Sequence, residues 1–275
     1  MFRKILIGFA VITALMCWKV WSDTMSDPVV ERLLVTSSDL PSNAKPVTIA
    51  LVADIHMAGP DMPPERVERI VAQTNALGAD IIAVAGDLVS EKRAGTRTYS
   101  PRDVIAPLGK LSAPSGVVLV PGNHDHWYGW PELASELEKF PHITVLQNGA
   151  AQLGPLAMGG MDDDFTQNDD LAATLAAMKG LSGPRVMLTH TPDLFPQMPS
   201  DIVLMMAGHT HCGQLRYPWG GSPVKMSKYG EKFACGVVKE QAKTLVTSAG
   251  LGTSVLPLRF LTHPELWLIE IRPAS

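Results

Sequence analysis

The sequence predicts an α/β fold built around a parallel sheet. Near-continuous apolar runs alternate with helical patterns in a βαβαβ rhythm, as expected of parallel strands covered on both faces. The runs stop at polar groups rather than fading out: Asp54-Ile55-His56, Gly86-Asp87, Gly122-Asn123-His124-Asp125 and Gly208-His209-Thr210-His211. With 275 residues, 46% of them hydrophobic and 18% charged, the chain can bury a sizeable core.

The elements follow in order. Arg3 and Lys4 precede an apolar stretch that predicts a helix over residues 5–21. Lys19 can extend to the interface there, and Trp18 and Trp21 fit a headgroup belt. An uncleaved membrane anchor over residues 1–22 is favoured, and a cleaved signal peptide is the rival. The basic flank places the N-terminus in the cytoplasm and the rest outside, the topology of a chain held at a membrane and working on its outer face. Residues 23–46 read as a linker and a first strand, with 29–35 as the strand.

The main domain then runs from 47 to 275. Residues 47–53 form a buried strand ending at Asp54. Pro63 and Pro64 open a helix with Val67, Ile70 and Val71 on one side, stopped by Gly78. Residues 81–85 form a strand ending at Gly86-Asp87, 101–111 a helix, and 117–120 a strand ending at Gly122-Asn123-His124. A helix over 131–140, strands over 143–146 and 156–160, and an alanine-rich helix over 169–179 come next. Residues 185–189 end at His190, and 202–207 end at Gly208-His209. The runs 245–248 and 266–271 read as antiparallel strands.

Strand ends on one edge of a sheet meet in space although they are distant in sequence. Asp54 and His56 can reach one ion, and Asp87 can offer one oxygen to each of two ions. Asn123 adds an amide oxygen; His190, His209 and His211 add imidazoles. This mixed oxygen–nitrogen set suits two divalent ions of Mn, Fe, Zn or Co better than Ca or Mg. Ions about 3.5–4 Å apart lower the pKa of a shared water and stabilise an in-line phosphoryl transition state. His124 adjoins a ligand and is not needed to fill either metal shell. It is the candidate proton donor to the departing oxygen, a role worth about 10²–10⁴-fold.

The four motifs in order, with His190 between the last two, resemble the calcineurin-like metallophosphoesterase superfamily from about residue 47 onward. The resemblance implies a four-layer αββα sandwich with a dinuclear centre at one edge. It implies that Asp54, His56, Asp87 and His211 bind the first metal, and Asp87, Asn123, His190 and His209 the second. His124 would be the phosphate-contacting acid. Many members carry a carboxylate three residues after the bridging aspartate, and Ser90 stands there instead. Asp125 or Glu91 is therefore expected to orient His124. The tail, Gly250-Leu251-Gly252-Thr253 with Pro257-Leu258-Arg259-Phe260, is similar to that of the bacterial membrane-tethered branch, which includes phosphodiesterases.

The expected activity is therefore metal-dependent hydrolysis of phosphodiester or pyrophosphate bonds in a lipid or envelope precursor. The alternatives are a UDP-2,3-diacylglucosamine pyrophosphatase of lipid A synthesis facing the cytoplasm, and a non-catalytic scaffold of the same fold. A net charge of −4 with no clustered basic face argues against nucleic acid as a partner. Cys17, Cys212 and Cys235 form no disulfide framework; two unpaired thiols are favoured over a Cys212–Cys235 bridge. Asp162-Asp163-Asp164 reads as a solvated turn. Arg259 meets either a substrate phosphate or a surface carboxylate. Trp127 and Trp130 either wall the substrate or pack internally. His126, His142 and His263 read as structural or exposed. Oligomeric state leaves no mark in the sequence.

Overall fold

The computed structural model describes residues 2–274. Two six-stranded sheets stack face to face, helices cover the outer face of one, and a shorter helix covers the other. The expected four-layer α/β sandwich is what the chain forms.

The chain begins with helix α1 (Phe2–Met25), whose apolar stretch is long enough to cross a bilayer. It extends beyond the expected 5–21, because Asp23 and Thr24 are buried against the domain instead of opening a linker. Strand β1 (Val29–Ser37) follows, then β2 (Val47–Val52), α2 (Pro64–Ala76), β3 (Ile81–Val84), α3 (Pro101–Leu108), β4 (Val117–Leu119), α4 (Asn123–Leu137) and β5 (Ile143–Val145). The second half contains β6 (Gly149–Leu153), β7 (Leu156–Gly160), α5 (Leu171–Ala177), β8 (Arg185–Leu188), β9 (Ile202–Ala207), β10 (Gly236–Glu240), β11 (Lys243–Thr247) and β12 (Glu265–Pro273).

The first sheet has the order β1-β12-β2-β3-β4-β5, and the second β10-β11-β9-β8-β7-β6. β2, β3, β4 and β5 are mutually parallel, as are β7, β8 and β9. Alternation along β2 explains the layering. Ile49 and Leu51 point between the sheets, where they meet Leu188, Leu204 and Met206. Ala50 and Val52 point outward into the core shared with α2, α3 and α4. Both faces are buried, so the strand reads as an unbroken apolar run.

The C-terminal strands depart from the antiparallel expectation. β11 runs parallel to β9 and antiparallel to β10; β12 runs antiparallel to β2 but parallel to β1. β6 and β10 had no counterpart in the sequence reading, since each is an edge strand with a partly exposed face. The helix expected from Pro131 begins eight residues earlier, at Asn123. The Asp125 carboxylate caps it by accepting from the Gly122 backbone N–H (2.9 Å). Gly129, at φ 130°, kinks the helix, and this lets Pro131 sit inside it.

Candidate metal centre

The loops leaving β2, β3 and β4 bring Asp54, His56, Asp87 and Asn123 to one edge of the first sheet. Those leaving β8 and β9 bring His190, His209 and His211 to the same edge of the second. The site therefore lies over the seam between the sheets. Five of these seven residues are held in the left-handed region, Asp54, His56, Asp87, His209 and His211, with φ of 50°, 48°, 53°, 68° and 51°. Such a conformation costs about 1–3 kcal/mol per residue and persists only where its surroundings impose it.

Those surroundings are visible. His56 N–H donates to the Asp87 carbonyl (2.9 Å), Gly208 N–H to the His190 carbonyl (2.9 Å), and His209 N–H to the Asp54 carboxylate (2.8 Å). Two glycines permit the close approach. A Cβ on Gly122 would run into Asp87 Oδ1, and one on Gly208 into Asp54 Oδ2. Gly122 and Gly208 are thus steric requirements of the Asp87 and Asp54 carboxylates.

All seven side chains are buried, and their donor atoms converge. His56 Nε2 lies 2.9 Å from His211 Nε2, and His211 Nε2 is 3.9 Å from Asp54 Oδ1. On the other side, Asn123 Oδ1 lies 3.0 Å from His190 Nε2 and 2.9 Å from His209 Nδ1. Asp87 Oδ2 stands between the two groups, 3.3 Å from His56 Nε2 and 3.2 Å from His190 Nε2. Asp54-His56-His211 and Asp87-His190-His209 are each compact enough to hold a cation.

The chemistry of the donor set fits divalent cations. Burial holds His56 down to about 4 and His209 down to about 3, and it keeps His211 well below its ordinary value. Neutral imidazole is the form a metal requires. Burial pushes Asp54 up to about 7. Burial also raises Asp87, but the His190 and His56 imidazoles outweigh it and hold Asp87 well below the carboxylate range. His190 is lowered by burial, yet the Asp87 carboxylate lifts it well above its ordinary value. His190 Nδ1 is oriented by the Ala85 carbonyl (2.8 Å), the kind of outer contact that fixes a ligating histidine.

The remaining predicted residues divide. His124 packs edge-on against His56 (4.8 Å between ring centres) and Trp127 (4.9 Å). Its Nδ1 is buried with no hydrogen-bond partner among the described residues. Asp125 or Glu91 was expected to orient it; Glu91 lines the same cavity as His124, while Asp125 is engaged elsewhere. Its oxygens accept from the backbone N–H groups of Leu88 (2.8 Å), Val89 (3.4 Å) and Gly122 (2.9 Å), so Asp125 ties the loop that carries Asp87 to α4. Asp162 and Asp163 are buried rather than solvated; Asp162 pairs with His126 (2.6 Å). Arg259 is turned into the interior rather than towards a surface carboxylate. It is fully buried, and its guanidinium donates to the carbonyls of Ala249 (2.7 Å), Gly250 (3.1 Å) and Gly252 (2.6 Å). Trp130 joins the core, whereas Trp127 is 52% exposed at the site.

Cys212 and Cys235 are joined by a disulfide, against the expectation of free thiols. The link spans 23 residues and ties the turn carrying His211 to the segment before β10. Two further features had no clear sequence signal. Phe165 packs against the His209 ring (5.0 Å) and Trp127 (5.9 Å), beyond the acidic run. Lys92 is buried beside Asp61 (2.5 Å) and donates to the His56 carbonyl (3.3 Å). A cavity of about 620 Å³ opens over the metal residues. Its lining includes Asp87, Asn123 and His124 together with the apolar Leu215, Val224, Met226 and Leu256.

The calcineurin-like phosphoesterase family matches residues 47–213, most of the chain and all seven converging side chains. The chain belongs to this family. Its members are metal-dependent phosphoric ester hydrolases, and general phosphoesterase chemistry follows for the fold described above. An uncharacterized metallophosphoesterase of Helicobacter pylori is 26% identical over 94% of this chain and 68% of its own length. The metallophosphoesterase YkuE of Bacillus subtilis is 27% identical over 88% of this chain and 84% of its own. A Danio rerio protein named "Transmembrane protein with metallophosphoesterase domain" is 26% identical over 99% of this chain and 64% of its own.

Proposed function

We propose that this phosphoesterase holds two divalent cations and hydrolyses phosphodiester or pyrophosphate bonds in a lipid or envelope precursor. Asp54, His56, Asp87 and His211 would hold one cation, and Asp87, Asn123, His190 and His209 the other. The position of Asp87 Oδ2 between two donor groups, 3.3 Å from His56 Nε2 and 3.2 Å from His190 Nε2, carries this reading. Two such cations supply Lewis-acid charge and render water nucleophilic near neutral pH.

The rest is the work of the chain. His124 lines the cavity, where it hands a proton to the departing oxygen. Its backbone N–H donates to Asp87 Oδ1 (2.9 Å), which fixes acid and bridging carboxylate to each other. Trp127 packs edge-on against His124 here (4.9 Å between ring centres). The apolar part of the cavity accepts a leaving group with hydrocarbon or planar character.

Helix α1 and the Cys212–Cys235 disulfide support an anchored domain outside the cytoplasm, since disulfides persist in oxidising compartments. The name of the Danio rerio relative agrees with a membrane setting. The cytoplasm-facing pyrophosphatase of lipid A synthesis needs the opposite topology, which the disulfide disfavours.

The test is turnover by metal-stripped full-length protein given Mn, Fe, Zn or Co in turn. Bis(p-nitrophenyl) phosphate, a lipid phosphodiester, a lipid pyrophosphate and a phosphomonoester are compared. Metal-dependent turnover with the highest kcat/KM on a lipid diester or pyrophosphate is expected. Inactivity with every metal and ester would favour the scaffold instead.

A further inference from the structure

Helix α1 is not tethered loosely to the domain. Asp23 Oδ2 accepts from Leu261 N–H (2.9 Å), and Thr24 Oγ1 accepts from Arg259 N–H (2.7 Å). Arg66 donates to the carbonyls of Thr24 (3.0 Å) and Ser26 (2.9 Å) at the end of the helix. Asp23 lies two residues beyond Trp21, only ~3 Å further along the helix axis. A bilayer crossed by α1 therefore reaches nearly to Leu261.

Loop 254–263 is bound in turn to loop 214–229. Arg216 N–H donates to the Phe260 carbonyl (2.9 Å) and Phe260 N–H to the Gln214 carbonyl (3.1 Å). The Gln214 side chain donates to the Leu256 carbonyl (2.8 Å). Outside α1, most of the large exposed apolar side chains sit on these two loops. Loop 254–263 exposes Val255, Leu256, Leu258 and Leu261. Loop 214–229 exposes Val224 and Met226, and also Tyr217 stacked on Trp219 (5.2 Å), with Trp219 81% exposed. Apolar surface concentrated in this way marks an interaction site, and paired Tyr and Trp suit a headgroup belt.

We infer that these two loops are a lip seated in the bilayer surface, which holds the apolar part of the cavity against the membrane. The occupant is the lipid surface itself, because α1 carries it to within a few ångströms of Leu261. Val224, Met226, Val255 and Leu256 line the cavity as well as the lip, so one apolar surface continues from the bilayer towards the metal residues. A membrane phosphoester can then reach the centre with its acyl chains still in lipid. This inference rests on the proposed membrane setting and adds to it the face that touches lipid.

The test uses the full-length chain with Cys17→Ser and the Cys212–Cys235 disulfide intact. Leu258→Cys and Trp219→Cys are labelled separately with an environment-sensitive fluorophore. The chains are placed in nanodiscs of phosphatidylglycerol and phosphatidylcholine. Lys139→Cys is the control; it follows the end of α4 that points away from the site. Nitroxide-bearing acyl chains are expected to remove about half or more of the emission at Leu258 and Trp219 and to leave Lys139 unchanged, as for apolar side chains sunk ~5–10 Å into the boundary. Equal, unquenched emission at all three overturns the inference. Self-quenching between two chains in one disc without lipid quenching also overturns it, since a second copy would then cover the lip. The readout needs no turnover. An inactive but lipid-quenched chain sinks only the proposed activity, and an active but unquenched one sinks only the lip.

Discussion

The Nε2 atoms of His56 and His211 stand 2.9 Å apart in the interior, and neither Nδ1 has a hydrogen-bond partner among the described residues. Two buried imidazoles turned towards one point, beside Asp54, are arranged for a shared cation. Removal of metal should therefore weaken the fold. A ligand at 100-fold over its Kd contributes about 2.7 kcal/mol. Chelation should lower Tm by roughly 5–10 °C, reversed by added metal. A Tm indifferent to chelator, with metal loss verified by elemental analysis, would remove the cation from this pair.

Asp87 faces both donor groups, so its loss should disturb both. Asp87→Asn is expected to lower bound metal from two equivalents towards one or none and to cut kcat by at least about 10³. His209→Ala should do so mainly through one equivalent. Metal content and turnover are measured on the same sample. Wild-type activity at wild-type metal content in either variant would refute these assignments.

If His124 serves the proton step proposed above, its loss should spare the metals even though it stands beside His56 and Asp87. His124→Gln should keep metal content and lower kcat by about 10²–10⁴ for esters with basic leaving groups. The loss should be far smaller for p-nitrophenolate, which leaves without a proton. An equal loss for both leaving groups would argue against acid catalysis by this residue.

The His126–Asp162 pair gives stability a pH window. The Asp162 hydrogen bond holds His126 above its ordinary value. Burial raises Asp162, but the hydrogen bonds from His126, Gln147 and the Asp163 backbone together outweigh it and hold Asp162 below its ordinary value. The His126 share is complete below about pH 6.5 and fades as pH rises through its raised folded value. The Asp162 share is complete above its unfolded value and fades as pH falls through the lowered one. Asp162→Asn should cost about 1 kcal/mol near pH 5 and less near pH 9, read from urea unfolding. A cost independent of pH would assign the pair no ionic role.

The disulfide closes a loop with a separation of 23 residues beside His211. Chain entropy gives such a link about 3 kcal/mol. Cys212→Ser with Cys235→Ser should lose roughly that much stability and weaken metal binding, because the left-handed turn at His211 is freed. Unchanged metal affinity in a destabilised variant would confine the link to stability.

The central strands and the polar groups that gather at their ends were legible because each strand is buried on both faces and then stops at a charged or imidazole group. Val47 to Val52 and Ile202 to Ala207 are of that kind. The edge strands β6 and β10 were not, since their partly exposed sequences lack a clear period. The start of α4 was missed because its cap, Asp125, lies inside the motif that was read as catalytic. Phe165 and Lys92 meet the site only through tertiary packing, which no spacing along the chain records. Arg259 shows the same limit: nothing in Leu258-Arg259-Phe260 reveals that three carbonyls wait for its guanidinium in the interior.

β1 occupies the edge of its sheet, and its only neighbour in the strand order is β12, paired from Val29–Glu265 to Ser37–Pro273. Synthesis at 5–20 residues per second separates the two strands by roughly 10–45 s. During that interval β1 has no mate, and the flank of β2 that β12 will fill stays open to other chains. Whatever attends the chain during synthesis must therefore protect an unfinished sheet until β12 arrives, and the fold closes as a whole rather than growing from its beginning.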